Sequence, residues 1–352
     1  MSSNETEGSD LLYQIVAGSG DVLLDVRNLH TSFFMGPDRV LPAVRGVSFV
    51  VKRGHVLGII GESGSGKSVT SRSILRVVDQ PGRIVHGEIL FKGEDLLKVS
   101  EKRMREIRGS QISLIFQDPT TSLDPVYKVG DQLIEAYKAH HTNTRASVRA
   151  RAVQMLRLVG ITDSEGTLDK YPCQFSAGFR QRIFIAMSII NEPELLIADE
   201  PTTTLGITVQ AEILAALQEI KERTGTSMIL ITHDFGVVSQ FTDDIMVMYA
   251  GICAEYAPKR TILLNPSHPY TVGLIRSVPL LEAHRSGRLA SIPGFPPDML
   301  NLNPGCPFAP RCEYAQDVCE WEMPPLKQIG ERHLVRCFFP LDYDARQDLI
   351  LE

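Results

Sequence analysis

The sequence predicts an α/β layer fold with a mostly α-helical insert, followed by a small proline-rich C-terminal segment. Three observations carry this. The apolar run His55–Ile60 does not alternate and ends at Gly61, as a strand buried on both faces does. Between Gln117 and Asn191 the pattern turns helical. After Asn265, prolines at 266, 269, 279, 293, 296, 297, 304, 307 and 310 make regular helix unfavourable over much of the stretch.

Along the chain, Val22–Leu29 and Val47–Val51 read as strands, and a helix is expected from Lys67 to about Val78. Gln111–Phe116, Leu195–Ala198 and Ser227–Thr232 are further buried-strand candidates. Val129–His140 and Ala146–Val159 have helical spacing, and Gln210–Arg223 is another helix with Thr208 near its cap. The expected division is a flexible tail over 1–20, a main domain over 21–265 with a helical part at about 118–190, and an extension over 266–352. So short a proline-rich extension buries little core and calls for a staple.

Of the 352 residues, 43% are hydrophobic and 22% charged, ordinary values for a soluble globular protein. The formal net charge of −6 offers no basic excess to neutralise phosphates, so nucleic acid is not an expected partner. No apolar run reaches the roughly 18 residues of a membrane span, and Met1 to about Gly20 lacks the basic start and apolar stretch of a signal peptide. A cytoplasmic location follows as the expectation. Of six cysteines, Cys306, Cys312, Cys319 and Cys337 fall near the C-terminus, a grouping that in that compartment points to metal before disulfides. Cys173 and Cys253 lie outside it, with free buried thiol the default.

The segment Gly61-Glu62-Ser63-Gly64-Ser65-Gly66-Lys67-Ser68 fits G-x-x-x-x-G-K-[ST] between a strand and a helix. Glycines let the backbone wrap phosphates, and successive N–H groups with the helix N-terminus hold negative charge. Lys67 should reach the β- and γ-phosphates, and Ser68 should ligate Mg²⁺. Thr70, one turn into the helix, completes the candidate ATP contacts. Downstream, the apolar run Leu195–Ala198 delivers Asp199 as a Mg²⁺ ligand and Glu200 as general base for water. By themselves, two carboxylates before Pro201 also fit a helix cap.

Phe175-Ser176-Ala177-Gly178-Phe179-Arg180-Gln181-Arg182 resembles the signature segment of ABC ATPases. Gln117 in Phe116-Gln117-Asp118-Pro119 resembles that family's Q-loop, and His233 in Thr232-His233-Asp234 its switch histidine, although a lone histidine at a strand end is more often structural. Asn265-Pro266-Ser267-His268-Pro269-Tyr270-Thr271, Pro293-Gly294-Phe295-Pro296-Pro297 and Gly305-Cys306-Pro307-Phe308-Ala309-Pro310-Arg311-Cys312 resemble the linker and C-terminal extension of dipeptide and oligopeptide importer ATPases. The resemblance runs from about 22 to 340.

It implies a P-loop NTPase (RecA-like) core with an antiparallel β subdomain and the helical insert. It also implies ATP hydrolysis that powers import of peptides, with nickel or oligosaccharides, or a soluble non-transport role, as alternatives. Two subunits would sandwich ATP, each nucleotide lying between one subunit's phosphate loop and the other's Ser176, Ala177 and Gly178. Gln117 would contact Mg²⁺ or the lytic water and His233 the γ-phosphate. Phe33 would stack on adenine, with Phe34 the neighbouring alternative. Implied partners are a second related ATPase, two transmembrane permeases and, indirectly, an extracellular solute-binding protein, with the chain peripheral on the cytoplasmic side of the membrane. In that group the four cysteines accompany a [4Fe–4S] cluster. Four thiolates suit iron–sulfur or zinc and spacing does not choose, so the cluster rests on the resemblance, with zinc the lesser alternative.

Two departures stand out. Ala177 holds a usual glycine position and Phe179 a usual glutamine. After Glu200 the chain reads Thr203-Thr204-Leu205-Gly206 where the family carries an aspartate, so a carboxylate is missing. Unequal ATP sites in a heterodimer are the resulting expectation.

Overall fold

A computed structural model describes residues 12–16, 21–117, 122–203, 205–277 and 291–344. The chain divides into two units, one of residues 1–52, 57–97 and 232–352, the other of 53–56 and 98–231. Of the expected tail over 1–20, only 12–16 are described; they form a helical turn with Leu12 and Val16 buried, so this piece packs.

In the first unit, long strands Val22–Phe34 and Val40–Lys52 pair antiparallel, and Gly82–Phe91 lies antiparallel on the other side of Val22–Phe34. The buried run Val56–Ile60 pairs in parallel with Asp244–Tyr249, which pairs antiparallel with Ile252–Pro258. The helix expected to reach Val78 runs from Lys67 only to Ile74. Its end is a Schellman-type turn: Val77 N–H donates to Arg72 O and Arg76 N–H to Ser73 O, with Arg76 left-handed at φ 54°. Glycine usually marks such a stop, and here arginine fills the position, so the sequence carries no stop signal.

The proline-rich stretch also holds more regular structure than expected. Pro269 opens the helix Pro269–Arg276, where a missing N–H is harmless. His333–Val335 adds to the sheet through Glu255↔Val335 and Tyr256↔Leu334, and Lys327–Gly330 pairs beyond it. Tyr270, Ile275 and Phe308 share a buried cluster with Ile60, Val247 and Tyr249. Burying each such side chain contributes about 1.5–3 kcal/mol. Packing and strand pairing therefore hold the described part of the extension.

Glu255 is the polar pin of that attachment. Fully buried, it accepts hydrogen bonds from the N–H groups of Ser267 (2.7 Å) and His268 (3.0 Å) and pairs with His333 Nε2 at 2.7 Å. His268 in turn accepts the Tyr270 N–H on Nδ1 at 3.1 Å. Burial depresses the His268 imidazole to about 4, more than neighbouring Glu255 raises it. The unfolded chain thus binds the extra proton between pH 6.5 and 4, and stability falls as pH falls through that window. Between pH 7 and pH 5 the wild type should lose about 2 kcal/mol more than His268→Gln in denaturant titrations. Equal pH dependence of the two proteins would refute it.

In the second unit, Ile112–Ile115, Leu195–Asp199 and Ser227–Thr232 form a parallel array with Leu195–Asp199 in the middle. All of Leu195–Asp199 is buried, which explains its unbroken apolar run. The helices Val129–Lys138 and Arg145–Leu158 lie on the two spans read as helical, and Ala177–Ile189 is a further helix. Ile207–Thr224 is helical, with Gly206 rather than Thr208 at its N-cap. No helix among the described residues is long and apolar enough to cross a membrane.

Candidate functional site

In the first unit the loop Gly61–Ser68 leaves the end of Val56–Ile60 and enters the helix Lys67–Ile74. Gly66 caps that helix at φ 99°, and a Cβ there would meet Ala43 O at 2.5 Å, so only glycine fits. Lys67 is 4% exposed, its ammonium donating to Gly61 O at 2.8 Å and Glu62 O at 2.9 Å. A buried cation held by carbonyls at a helix N-terminus suits a polyanionic ligand such as a nucleotide phosphate. Ser65 is buried, Ser63 and Gly64 are exposed, and Ser68 is half-buried in the first helical turn. Thr70 stands apart from the other candidate contacts, since it is fully buried and its hydroxyl donates to Gly66 O at 2.9 Å. Its side chain braces the loop from behind.

Phe33 is half-buried and lies against Gly82, whereas Phe34 is 38% exposed with the Arg83 guanidinium 5.6 Å from its ring centre. His233 is exposed just after the strand Ser227–Thr232, and Asp234 caps the following helix by accepting from the N–H groups of Gly236 and Val237.

In the second unit Asp199 ends its strand buried, and Glu200 follows in the left-handed region at φ 49°. A non-glycine residue there carries strain on the order of 1 kcal/mol. Glu200 N–H donates to Ile231 O. Its carboxylate accepts from Gln117 Nε2 at 2.9 Å and from the Thr203 hydroxyl at 2.9 Å. These bonds fix one carboxylate oxygen of Glu200. Gln117, expected on Mg²⁺ or water, here holds the candidate base, and Thr203 is a contributor that sequence reasoning missed. The only signal for Thr203 was its spacing three residues after Glu200. Asp118 and Pro119, which follow Gln117, lie outside the described residues.

Ser176 caps the helix Ala177–Ile189, its hydroxyl accepting the Phe179 N–H at 3.3 Å. Gly178 is required by packing, because a Cβ there would collide with Val209 Cγ1. Ala177 is exposed at the first position of that helix. Phe179 stacks on Phe175 with ring centres 4.5 Å apart.

The expected metal centre at the C-terminus is overturned. Among the described residues, no group of three or more His, Cys, Asp or Glu side chains is placed to hold a metal ion. Cys306, Cys312, Cys319 and Cys337 are free thiols that line one small apolar pocket with Phe308, Phe338 and Phe339. Burial pushes the Cys306 thiol up to about 11 and raises Cys312 and Cys337. The [4Fe–4S] expectation, and with it zinc, is withdrawn. Cys253 is buried as expected and pushed up to about 12, whereas Cys173 is exposed, against the default.

Residues 44–203 match the family described as ABC transporter, and 254–319 match the oligopeptide/dipeptide transporter C-terminal region. The chain is 49% identical to a probable peptide ABC transporter ATP-binding protein of Sinorhizobium fredii, over 90% of this chain and 95% of that one. It is also 49% identical to the dipeptide transport ATP-binding protein DppD of Bacillus subtilis, over 90% and 94%. With the oligopeptide transport ATP-binding protein OppD of Salmonella typhimurium it shares 42% identity, over 92% and 95%. Among solved structures, the ATP-binding cassette MJ0796 in a dimeric post-hydrolysis state aligns with a TM-score of 0.61 at 23% identity, covering 67% of this chain and 99% of that one, a likeness of fold. The protein cbiO1 of Clostridium perfringens, part of the ABC transporter complex cbiONQ, aligns at 0.58 and 28% identity, over 69% and 90%. A phosphate-type loop around a buried lysine, a strand-end carboxylate pair and near-full-length identity converge, and this chain belongs to the ATP-binding proteins of the dipeptide and oligopeptide ABC transporters.

Proposed function

We propose that this chain hydrolyses ATP to drive import of dipeptides or oligopeptides through membrane permease subunits. The observation that carries the reading is the 49% identity to a dipeptide transport ATP-binding protein over 90% of the chain. That span takes in the candidate ATP site and most of the C-terminal segment. In this reading Gly61–Ser68 hold the ATP phosphates and Lys67 supplies the cation that faces them. Ser68 and Asp199 offer the hard oxygen donors that Mg²⁺ takes, and the ion would neutralise charge between the phosphates. Glu200, oriented by Gln117 and Thr203, polarises the attacking water. His233 supports the γ-phosphate, and Phe33 packs on the adenine.

The test is reconstitution of the chain with its permeases, a second ATPase subunit and a solute-binding protein in vesicles. ATP hydrolysis should rise when the binding protein carries a short peptide. Stimulation by nickel or an oligosaccharide instead would reassign the cargo, and no ATP hydrolysis under any condition would end the reading.

The two sites of the assembled pair are proposed to be unequal. Ser176, Ala177 and Gly178 would face the partner subunit's ATP, where Ala177 stands in a usual glycine position. Gly206 caps the helix Ile207–Thr224 with no side-chain hydrogen bond, and a Cβ there meets nothing within 4 Å. Among the described residues nothing crowds a Cβ at this position, so glycine is not imposed by packing there. Gly206→Asp should stabilise the helix by a few tenths of a kcal/mol. Unequal sites predict unequal losses when Glu200→Gln and its counterpart in the second ATPase are introduced separately. Equal losses would exclude the proposal.

A further inference from the structure

Glu62 is an anion inside a loop built to receive anions, and it needs a reason to be there. Its carboxylate accepts two bonds from the Arg311 guanidinium, at 2.7 Å from one nitrogen and 2.9 Å from the other. This fork-on-carboxylate geometry is the strong form of ion pair and fixes orientation as well as charge. Arg311 is itself anchored, with Nε donating to Pro293 O at 2.8 Å and a second nitrogen donating to the Tyr249 hydroxyl at 3.2 Å. It is 8% exposed, and its guanidinium lies 5.9 Å from the Phe308 ring centre. The same residue of the loop is held a second time, because Glu62 N–H donates to the Tyr270 hydroxyl at 2.8 Å. Glu62 O is one of the two carbonyls that hold the Lys67 ammonium.

One residue, Glu62, thus connects the C-terminal segment to the key cation. The partners are 249 residues apart in sequence, and within this unit each touches the buried cluster, Arg311 through Tyr249 and Phe308 and Glu62 through Tyr270. We propose that Arg311 and Tyr270 are positioning residues for the ATPase reaction. They brace the phosphate loop through Glu62 and cancel the Glu62 charge where the nucleotide phosphates bind. The proposal rests on the ATP-hydrolysis reading and adds a role for the C-terminal segment that needs no metal.

The test measures ATP hydrolysis by the assembled transporter with wild-type chain, Arg311→Met, and the double variant Arg311→Met/Glu62→Gln. Methionine keeps the apolar stem and removes the fork. The single variant should raise KM for ATP about tenfold and leave kcat within about twofold, as loss of ground-state order does. The double variant should recover most of that loss, because the uncancelled carboxylate is gone. A merely structural arginine would lower the active fraction, leave KM unchanged, and gain nothing from Glu62→Gln. Unchanged KM in Arg311→Met, or an equal rise in the double variant, overturns the proposal. Should Arg311→Met not assemble, Arg311→Lys keeps the charge without the fork, and a KM rise of about threefold is expected. An unchanged KM there would likewise overturn it. A wild-type complex without ATPase activity would instead sink the underlying function.

Discussion

Lys67→Ala should weaken ATP binding by roughly a hundredfold to a thousandfold and reduce hydrolysis to background. The size follows from the environment. The ammonium is 4% exposed and held by Gly61 O and Glu62 O. Charge-assisted hydrogen bonds to phosphate contribute about 1.5–3 kcal/mol each, and every 1.4 kcal/mol is tenfold in affinity. Two such bonds to the phosphates, partly replaced by water once lost, contribute about 3–4 kcal/mol. Titration with a fluorescent ATP analogue and phosphate-release assays measure both quantities. Circular dichroism distinguishes a lost ligand contact from a lost fold, since the helix Lys67–Ile74 remains capped by Gly66. Near-wild-type affinity in a folded Lys67→Ala protein would remove Lys67 from the site.

Local chemistry explains which parts of the fold were legible beforehand. Buried parallel strands announce themselves because both faces are apolar, and Leu195–Asp199 is buried at every residue. The phosphate loop is equally legible, because only glycine tolerates the approach of Ala43 O at Gly66. What stayed hidden was set by partners far away in sequence. The helix after the loop stops at Ile74 because Arg76 adopts φ 54°, stabilised by a bond from its guanidinium to Leu96 O. Gln117 reaches Glu200 across 83 residues, and no spacing rule predicts an amide on that carboxylate rather than on water or metal. The cysteines mislead for a related reason. Their grouping in sequence is real and they do line one pocket, but among the described residues no group of three or more His, Cys, Asp or Glu side chains is placed to hold a metal ion.

The second large effect concerns the hydrolytic step alone. Glu200→Gln should lower kcat by about a hundredfold to ten-thousandfold while ATP affinity stays within about threefold of wild type. The substitution keeps size and removes the base. Gln117 and Thr203 both donate to the carboxylate oxygen Oε2, and the amide oxygen of the new glutamine can accept the same two bonds. The left-handed backbone at φ 49° is no more strained for glutamine than for glutamate. Geometry is therefore retained, and only proton affinity changes. Gln117→Ala and Thr203→Ala act on the same carboxylate from outside, leaving the base in place but less well aimed. Each should cost about tenfold in kcat. Combined with Glu200→Gln, neither should add its own loss, because groups that serve one base are not additive once the base is gone. Single-turnover hydrolysis in the assembled complex reads this directly. A full additional tenfold from Gln117→Ala on top of Glu200→Gln would place Gln117 on the water or the nucleotide, rather than on the base that it contacts in the structure.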